Sequence, residues 1–151
     1  MAGNNLWLTY PAAVANVLTT QLNALADGSV TALSSEIDNS TNQHLYCDFQ
    51  VDLISLNIAS TTAFLHIFIV PTVDGTNYPD WTSGAAATYH SAYLRGVILV
   101  QSGNSAHRVN FEEIRIPPGK YKVAIRNGLG VAMATSDSST VAARPYSVQY
   151  T

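Results

Sequence analysis

The stretch IRIPPGKYKVAIRNGLGVAMA, residues 114–134, carries the clearest structural pattern of the chain. Pro117-Pro118-Gly119 predicts a turn, because proline fixes φ and lacks a ladder donor, while glycine tolerates positive φ. The run that follows alternates, with Tyr121, Val123 and Ile125 on one face and mostly Lys and Arg on the other. This alternation predicts a strand with one buried and one solvated face.

Asn127-Gly128 predicts a second reversal, since this dipeptide is the strongest short-range signal for a two-residue hairpin. Residues 131–134 would then return as a third strand. The whole stretch therefore predicts a meander, strand–turn–strand–turn–strand, with one wet face. Nothing in it resembles a catalytic site, and we interpret it as part of a β-sandwich built for contact.

Further strands are marked on both sides of this stretch. Residues 44–56 alternate, and their apolar face consists of Leu45, Cys47, Phe49, Val51 and Leu53. The alternation slips at 53–56, which predicts a bulge or a sheet crossing. Residues 63–70 are nearly all apolar, as in a central strand covered on both faces. Pro145, in the run 141–150, predicts an edge strand or a bulge.

Strands are also expected near residues 89–101 and 106–116, separated by turn signals. About seven to nine strands at regular spacing indicate an all-β protein, an antiparallel β-sandwich of jelly-roll type. Residues 11–26 are ambiguous, because a helical stripe behind Pro11 competes with an alternation that continues to Ile37. We favour a hairpin across Asp27-Gly28 and keep the helix as the alternative.

Charge is scarce and unevenly placed. Only 11% of the residues are charged, so the outer faces are largely polar but neutral, and a partner can cover them without desolvating many charges. Residues 1–94 hold seven acids and no Lys or Arg, and residues 95–151 hold seven bases and three acids. We expect ion pairs between these halves within the sandwich, the alternative being complementarity between neighbouring copies. The net charge of −3, without a basic aromatic run, argues against a nucleic-acid partner.

Few residues of the chain fit a pattern of chemical function, and we expect no catalytic residues and no cofactor. The single cysteine, Cys47, excludes an intramolecular disulfide framework and fits a buried small hydrophobe. The four histidines lack metal-ligand spacing, and His66 fits a position in or near the core. Glu112-Glu113 are adjacent on a strand, so they should face opposite ways and make a poor carboxylate pair.

The loop of residues 73–81 could supply oxygens to Ca²⁺ from Asp74, Asn77 and Asp80. Its spacing lacks the order of a calcium loop and the distal Glu, so we predict a turn with side-chain caps and no metal. No apolar run approaches the roughly 20 residues that cross a bilayer, and no basic segment precedes an apolar core. We expect a soluble protein that is made in a reducing cytoplasm and has no membrane partner.

The domain organisation we predict is an N-terminal arm, residues 1–15, and a single β-sandwich domain, residues 16–151. The arm carries the uncharged aromatic run Leu6, Trp7, Leu8 and Tyr10. Such residues either anchor a neighbour or pack on their own domain. In the loop, Tyr78 and Trp81 either form a sugar-stacking platform or seal the end of the sandwich, which we favour. These six are the candidate interface residues.

Five segments in fixed order carry a resemblance to a known family. They are residues 22–29 (LNALADGS), 37–42 (IDNSTN), 73–78 (VDGTNY), 116–122 (IPPGKYK) and 144–146 (RPY). Together they resemble small structural proteins of tailed-bacteriophage virions, over a span from about residue 18 to the end. The aromatic amino terminus and Trp81 depart from that pattern, and we expect the binding site to differ there.

The resemblance implies a jelly-roll structural protein of the particle, such as a capsid decoration (cement) protein that binds and stabilises the major capsid protein shell. It also implies a homo-oligomer, a dimer or trimer, on the capsid surface of a virion assembled in the host cytoplasm. One alternative is a tail- or fibre-associated virion module. Another is a carbohydrate-binding β-sandwich module that uses Tyr78 and Trp81.

Overall fold

The computed structural model describes residues 6–9, 14–85, 91–135 and 139–150 and consists of two antiparallel β-sheets packed face to face. Its strands are β1 Leu6–Thr9, β2 Ala15–Leu18, β3 Ile37–Asp38, β4 Tyr46–Ile58, β5 Phe64–Pro71, β6 Leu94–Leu99, β7 Gly103–Arg115, β8 Lys120–Gly128 and β9 Thr140–Tyr150. The described helical residues form two short 3₁₀ turns, Thr20–Leu22 and Ser91–Tyr93. The predicted all-β sandwich is confirmed.

The strand order is that of a jelly roll. Sheet 1 runs β1-β9-β4-β7, with β2 also paired to β9, and sheet 2 runs β3-β8-β5-β6. The pairs β2–β9, β3–β8, β4–β7 and β5–β6 are nested, as in one long two-stranded ribbon rolled onto itself. Strands that follow each other in the chain therefore mostly lie in opposite sheets.

This nesting overturns the predicted meander. Pro117-Pro118-Gly119 does make a turn, but it carries the chain from β7 in sheet 1 to β8 in sheet 2. Asn127-Gly128 is not a hairpin turn: both residues belong to β8 and pair with Leu65 and Phe64 of β5. Residues 131–134 form no strand and instead bond to residues 24–25 through Met133 N–H and Ala24 N–H.

Residues 11–26 form neither the helix nor the hairpin in the part that is described. β2 is followed by the 3₁₀ turn, and the chain after Asp27-Gly28 runs along β8 instead of pairing back on itself. There Thr31 and Ser34 each donate a backbone N–H to β8 and accept a β8 N–H on their hydroxyl oxygens. These hydroxyls satisfy backbone donors that a regular ladder would otherwise pair.

The core lies between the sheets, and β4 shows how the alternation builds it. Cys47, Phe49, Val51 and Leu53 are buried as predicted, whereas Leu45 precedes the strand and is 49% exposed. The predicted irregularity is confirmed, because the β4–β7 register shifts between Leu53 and Leu56. β5 is confirmed as a central strand, since it lies between β8 and β6.

A second bulge lies where β7 passes Asp48. Glu112 and Glu113 together oppose this one residue, and Glu113 has a φ of 55°. Its N–H donates to Asp48 Oδ1 at 2.9 Å. The extra residue cancels the usual alternation, so both glutamates are exposed and the prediction that they face opposite ways is wrong.

Pro145 also corrects a prediction, since β9 is not an edge strand. β9 lies between β4 on one side and the short strands β1 and β2 on the other. The β2 pairing ends at Ala143 and the β1 pairing begins at Ser147, so the proline sits opposite the break between them. A residue without an N–H is tolerated there because no ladder bond is required of it.

Candidate interaction surfaces

The loop after β5 is organised around the exposed carboxylate of Asp74. Its Oδ1 accepts from the N–H groups of Thr76 (2.9 Å) and Asn77 (2.7 Å) and from the Thr72 hydroxyl, while Oδ2 accepts from Asn77 Nδ2. The backbone and side-chain bonds from Asn77 and Thr76 hold the pKa of Asp74 well below its usual range. The predicted turn with side-chain caps is confirmed.

Val73 directly precedes Asp74 in this capped loop. Its side chain is 102% exposed, the highest value among the exposed large apolar residues. The Asp74 carboxylate next to it fixes the loop through several hydrogen bonds. The Val73 side chain is therefore an apolar group that is held in an exposed position before any partner binds, and we call it the Val73 projection. The sequence contained this residue within the resemblance, but nothing in the pattern marked it as a contact residue.

Tyr78 belongs to a network that joins the loop to β8. Its hydroxyl donates to Glu36 Oε2 at 2.8 Å, and Lys122 Nζ lies 4.4 Å from the centre of its ring. Glu36 also pairs with Lys120 at 2.8 Å. The bonds from Lys120 and Tyr78 lower the pKa of Glu36, while burial and the neighbouring Glu36 raise the pKa of Tyr78.

Trp81 packs on the outer face of sheet 2. Its Nε1 donates to the Thr31 carbonyl at 2.9 Å, and its ring meets Phe68 edge-on at 5.6 Å between centroids. With Val30, Ala124 and Leu94 these rings form a second small apolar cluster. The prediction of a wet outer face on β8 is therefore wrong at Ala124, which is fully buried.

The structure thus brings Tyr78 and Trp81 to the outer side of sheet 2, where own-chain contacts hold both rings; neither seals the end of the sandwich. The backbone of Leu6–Thr9 pairs with β9 of the same chain. The side chains of Leu6, Trp7 and Leu8, and all of Tyr10, lie outside the described residues. The arm of residues 1–15 as a contact with a neighbour stays a prediction.

Ion pairs join the acidic and basic halves of the chain, as predicted. Asp52 pairs with Arg108 across β4 and β7, and Glu36 pairs with Lys120. Each pair takes its acid from residues 1–94 and its base from residues 95–151. The charge asymmetry of the sequence is at least partly resolved within the fold.

The groups that could carry chemistry are dispersed. Within the described residues, no three His, Cys, Asp or Glu side chains gather as a metal site. Cys47 is fully buried as predicted, and burial raises the pKa of its thiol to about 12. His66 is half-buried between Phe64 and Phe68, and burial and Arg126 lower its pKa. His90 lies outside the described residues.

A cleft of about 320 Å³ opens between the sheets beside β2 and β3. Val17, Ile37, Ala143 and Pro145 give it apolar walls, and Tyr121 forms part of its lining. The Tyr121 hydroxyl is buried and has no hydrogen-bond partner among the described residues. Burial and the adjacent Cys47 raise its pKa, so it stays protonated.

Sequence reasoning missed an exposed apolar strip on β6. Val97 is 56% and Leu99 71% exposed, and both lie on the outer face of sheet 2 beside His66 and Phe64 of β5. Residues 97–100 are all apolar in the sequence, so the pattern does not indicate which of their side chains are buried. The strip became visible only with the strand order, which places β6 at the edge of its sheet.

Comparisons with protein-family models, with curated proteins and with solved structures each find no match to this chain. In the part of the chain that the structure describes, no helix is long and apolar enough to span a membrane.

Proposed function

We propose that this protein is a non-enzymatic structural protein of a bacteriophage virion, specifically a capsid decoration protein that binds and stabilises the major capsid protein shell. Three general features support the proposal. Five ordered sequence segments resemble small virion proteins, and the chain folds as the jelly roll that this resemblance implies. The low charge also suits surfaces that become covered on assembly.

The observation that carries the proposal is the Val73 projection. Single exposed apolar side chains are common on protein surfaces, but this one is fully exposed on a loop that Asp74 has already ordered. A preordered contact costs less entropy on binding than a mobile one. We assign this loop to the shell contact.

The free energy that such a contact can contribute to binding suits a decoration protein. Burying one valine side chain stabilises a contact by about 1.5–3 kcal/mol, which is weak for a single site. A particle presents the same site many times, and oligomeric decoration subunits bind several sites at once, so weak contacts add through avidity.

The deciding experiment counts copies of this protein per purified phage particle by quantitative gel analysis and cryo-EM. A decoration protein is present in the copy number set by the shell lattice and appears as density on the head. A tail- or fibre-associated module appears in few copies at the tail. Absence from the particle overturns the virion proposal.

The carbohydrate-binding alternative is less well supported. A stacking platform needs aromatic faces open to a ligand, but Trp81 packs on Phe68 and Lys122 lies over Tyr78. A glycan array would decide the matter. Binding that is abolished by Trp81→Ala in the folded protein favours the carbohydrate function.

A further inference from the structure

The two sheets have four open edges among the described residues, and three of them carry devices that block pairing with another strand. β3 is two residues long. β1 and β2 share one edge and are four residues long each, and β2 has a register shift against β9. β7 carries Arg108, Glu112, Glu113 and Arg115 and a bulge at Glu113. Short strands, charges and bulges are the usual protection of edge strands.

β6 lacks this protection. It contains no Lys, Pro, Asp or Glu, and its alternate outward positions hold Val97 and Leu99. Its one charged residue, Arg95, donates to the carbonyls of Ala92 (2.8 Å) and Leu94 (3.1 Å), so the guanidinium lies back along the start of the strand. The register shift against β5 also falls at Arg95 and leaves Gly96–Leu99 regular.

We propose that β6 pairs with β6 of a second copy of this chain, in antiparallel orientation, and joins the two copies of sheet 2 into one continuous sheet. An edge strand exposes a row of backbone N–H and C=O groups with which another strand can pair in register. A second copy fits because the strand is self-complementary. A two-fold axis through Ile98 places Val97 of one copy opposite Leu99 of the other, twice.

The charged residues on and near β6 are compatible with this register. In the same alignment Arg95 faces Gln101 of the second copy, so no like charges oppose each other. Arg126 lies two strands away from the axis, on β8, and does not meet its own copy. Cross-strand apolar pairs of this kind stabilise an antiparallel ladder. The pairing identifies a surface for the predicted homo-oligomer and does not depend on the virion assignment.

The dimer is expected to be weak in free solution. One short ladder with two apolar pairs buries less than the roughly 800 Å² per partner of a standard stable interface. Its formation should therefore depend on concentration, and it should be favoured wherever many copies are held close together.

The test is sedimentation velocity of the full chain over a concentration series reaching millimolar. The wild-type protein should shift from monomer to dimer. Val97→Lys and Leu99→Asp should each raise the dimer dissociation constant by about tenfold or more, because each buries a charge against an apolar partner. Both side chains are largely exposed in one copy, so thermal melting should show folded variants. If Val97→Lys does not fold, Val97→Thr replaces it in the same assay, because threonine keeps the branched shape of valine.

Mixing the two single variants tests the register itself. In a mixed dimer the introduced lysine faces the introduced aspartate, so the mixture should dimerise more tightly than either variant does alone. Leu45→Lys is the matched control, since it charges an exposed apolar residue directly before β4 of sheet 1, and it should dimerise normally. A wild-type protein that stays monomeric, single variants that dimerise normally, or a mixture that stays monomeric would each overturn the proposal.

Discussion

Asn127 and Asp74 both organise loops through side-chain hydrogen bonds, and they differ mainly in burial. Asn127 is fully buried; its Nδ2 donates to the carbonyls of Leu25 (2.8 Å) and Val131 (2.9 Å), and its Oδ1 accepts from Leu129 N–H. Asp74 forms a similar set of bonds in an exposed loop. Removing the side chain should therefore lower the stability of the protein strongly at Asn127 and only slightly at Asp74. The reason is that water replaces the hydrogen bonds that are lost at the surface.

The largest effect is expected for Asn127→Ala. It leaves the buried Leu129 N–H and the partly buried Val131 carbonyl without this partner, while the Leu25 carbonyl keeps only its bond from Met133 N–H. The free energy of unfolding should fall by about 2–3 kcal/mol. Urea unfolding measures the change. Asn104→Ala, at an exposed position of β7, is the matched control and should be nearly neutral. Equal losses for the two variants would contradict the difference drawn between buried and exposed amides.

Gly128→Ala should have an intermediate effect. A Cβ at Gly128 would lie 2.4 Å from the ring of Phe64, whereas a Cβ at Gly119 meets nothing within 4 Å. Because Phe64 is only half-buried, its ring can move, and we expect a loss of about 1 kcal/mol. Gly119→Ala should be close to neutral in the same unfolding assay. The double variant Phe64→Ala/Gly128→Ala should lose no more than Phe64→Ala alone.

Asp74→Ala should lower the melting temperature slightly at neutral pH. The folded pKa of Asp74 is depressed, so its contribution is complete above the unfolded value of about 3.9 and is lost as the pH falls through the folded value. The difference in melting temperature between variant and wild type should therefore shrink in strong acid. A difference that grows on acidification would show that the carboxylate does not stabilise the loop in its charged form.

Val73→Ser should change stability least, because the side chain touches little of its own chain. Its melting temperature should match that of the wild type within error. If the loop contacts the shell, this variant should bind decoration-free particles more weakly, as measured by co-sedimentation. Thr76→Ser, in the same loop, is the control and should bind normally. Unchanged particle binding by Val73→Ser would remove the loop from the contact.

Several elements were predictable because their signals are local. The alternation of Cys47, Phe49, Val51 and Leu53, the slip after Leu53 and the apolar run of β5 each describe a strand and its covered faces. The Asp74 loop was also predictable, since a carboxylate can cap nearby backbone groups without help from the rest of the fold. In each case the residues that decide the structure are neighbours in the chain.

The pairing of the strands was not predictable in this way. Asn127-Gly128 is a strong hairpin signal, but here the Asn side chain bonds to residues 25 and 131 and the chain continues straight along β5. Pro117-Pro118-Gly119 turns the chain equally well into a hairpin or across to the other sheet. A turn signal says that the chain bends and does not say which strand it meets next.

The sequence by itself determined the fold class, the positions of most strands and the burial of Cys47 in the core. The reason is that alternation and apolar runs depend only on the period-two geometry of the strand backbone. Only the tertiary structure decided that Asn127 is a buried clamp, that Trp81 covers the outer face of sheet 2, and that Val97 and Leu99 lie on an open edge. The reason is that these roles depend on which strands are neighbours. In a jelly roll those neighbours are far apart in the chain.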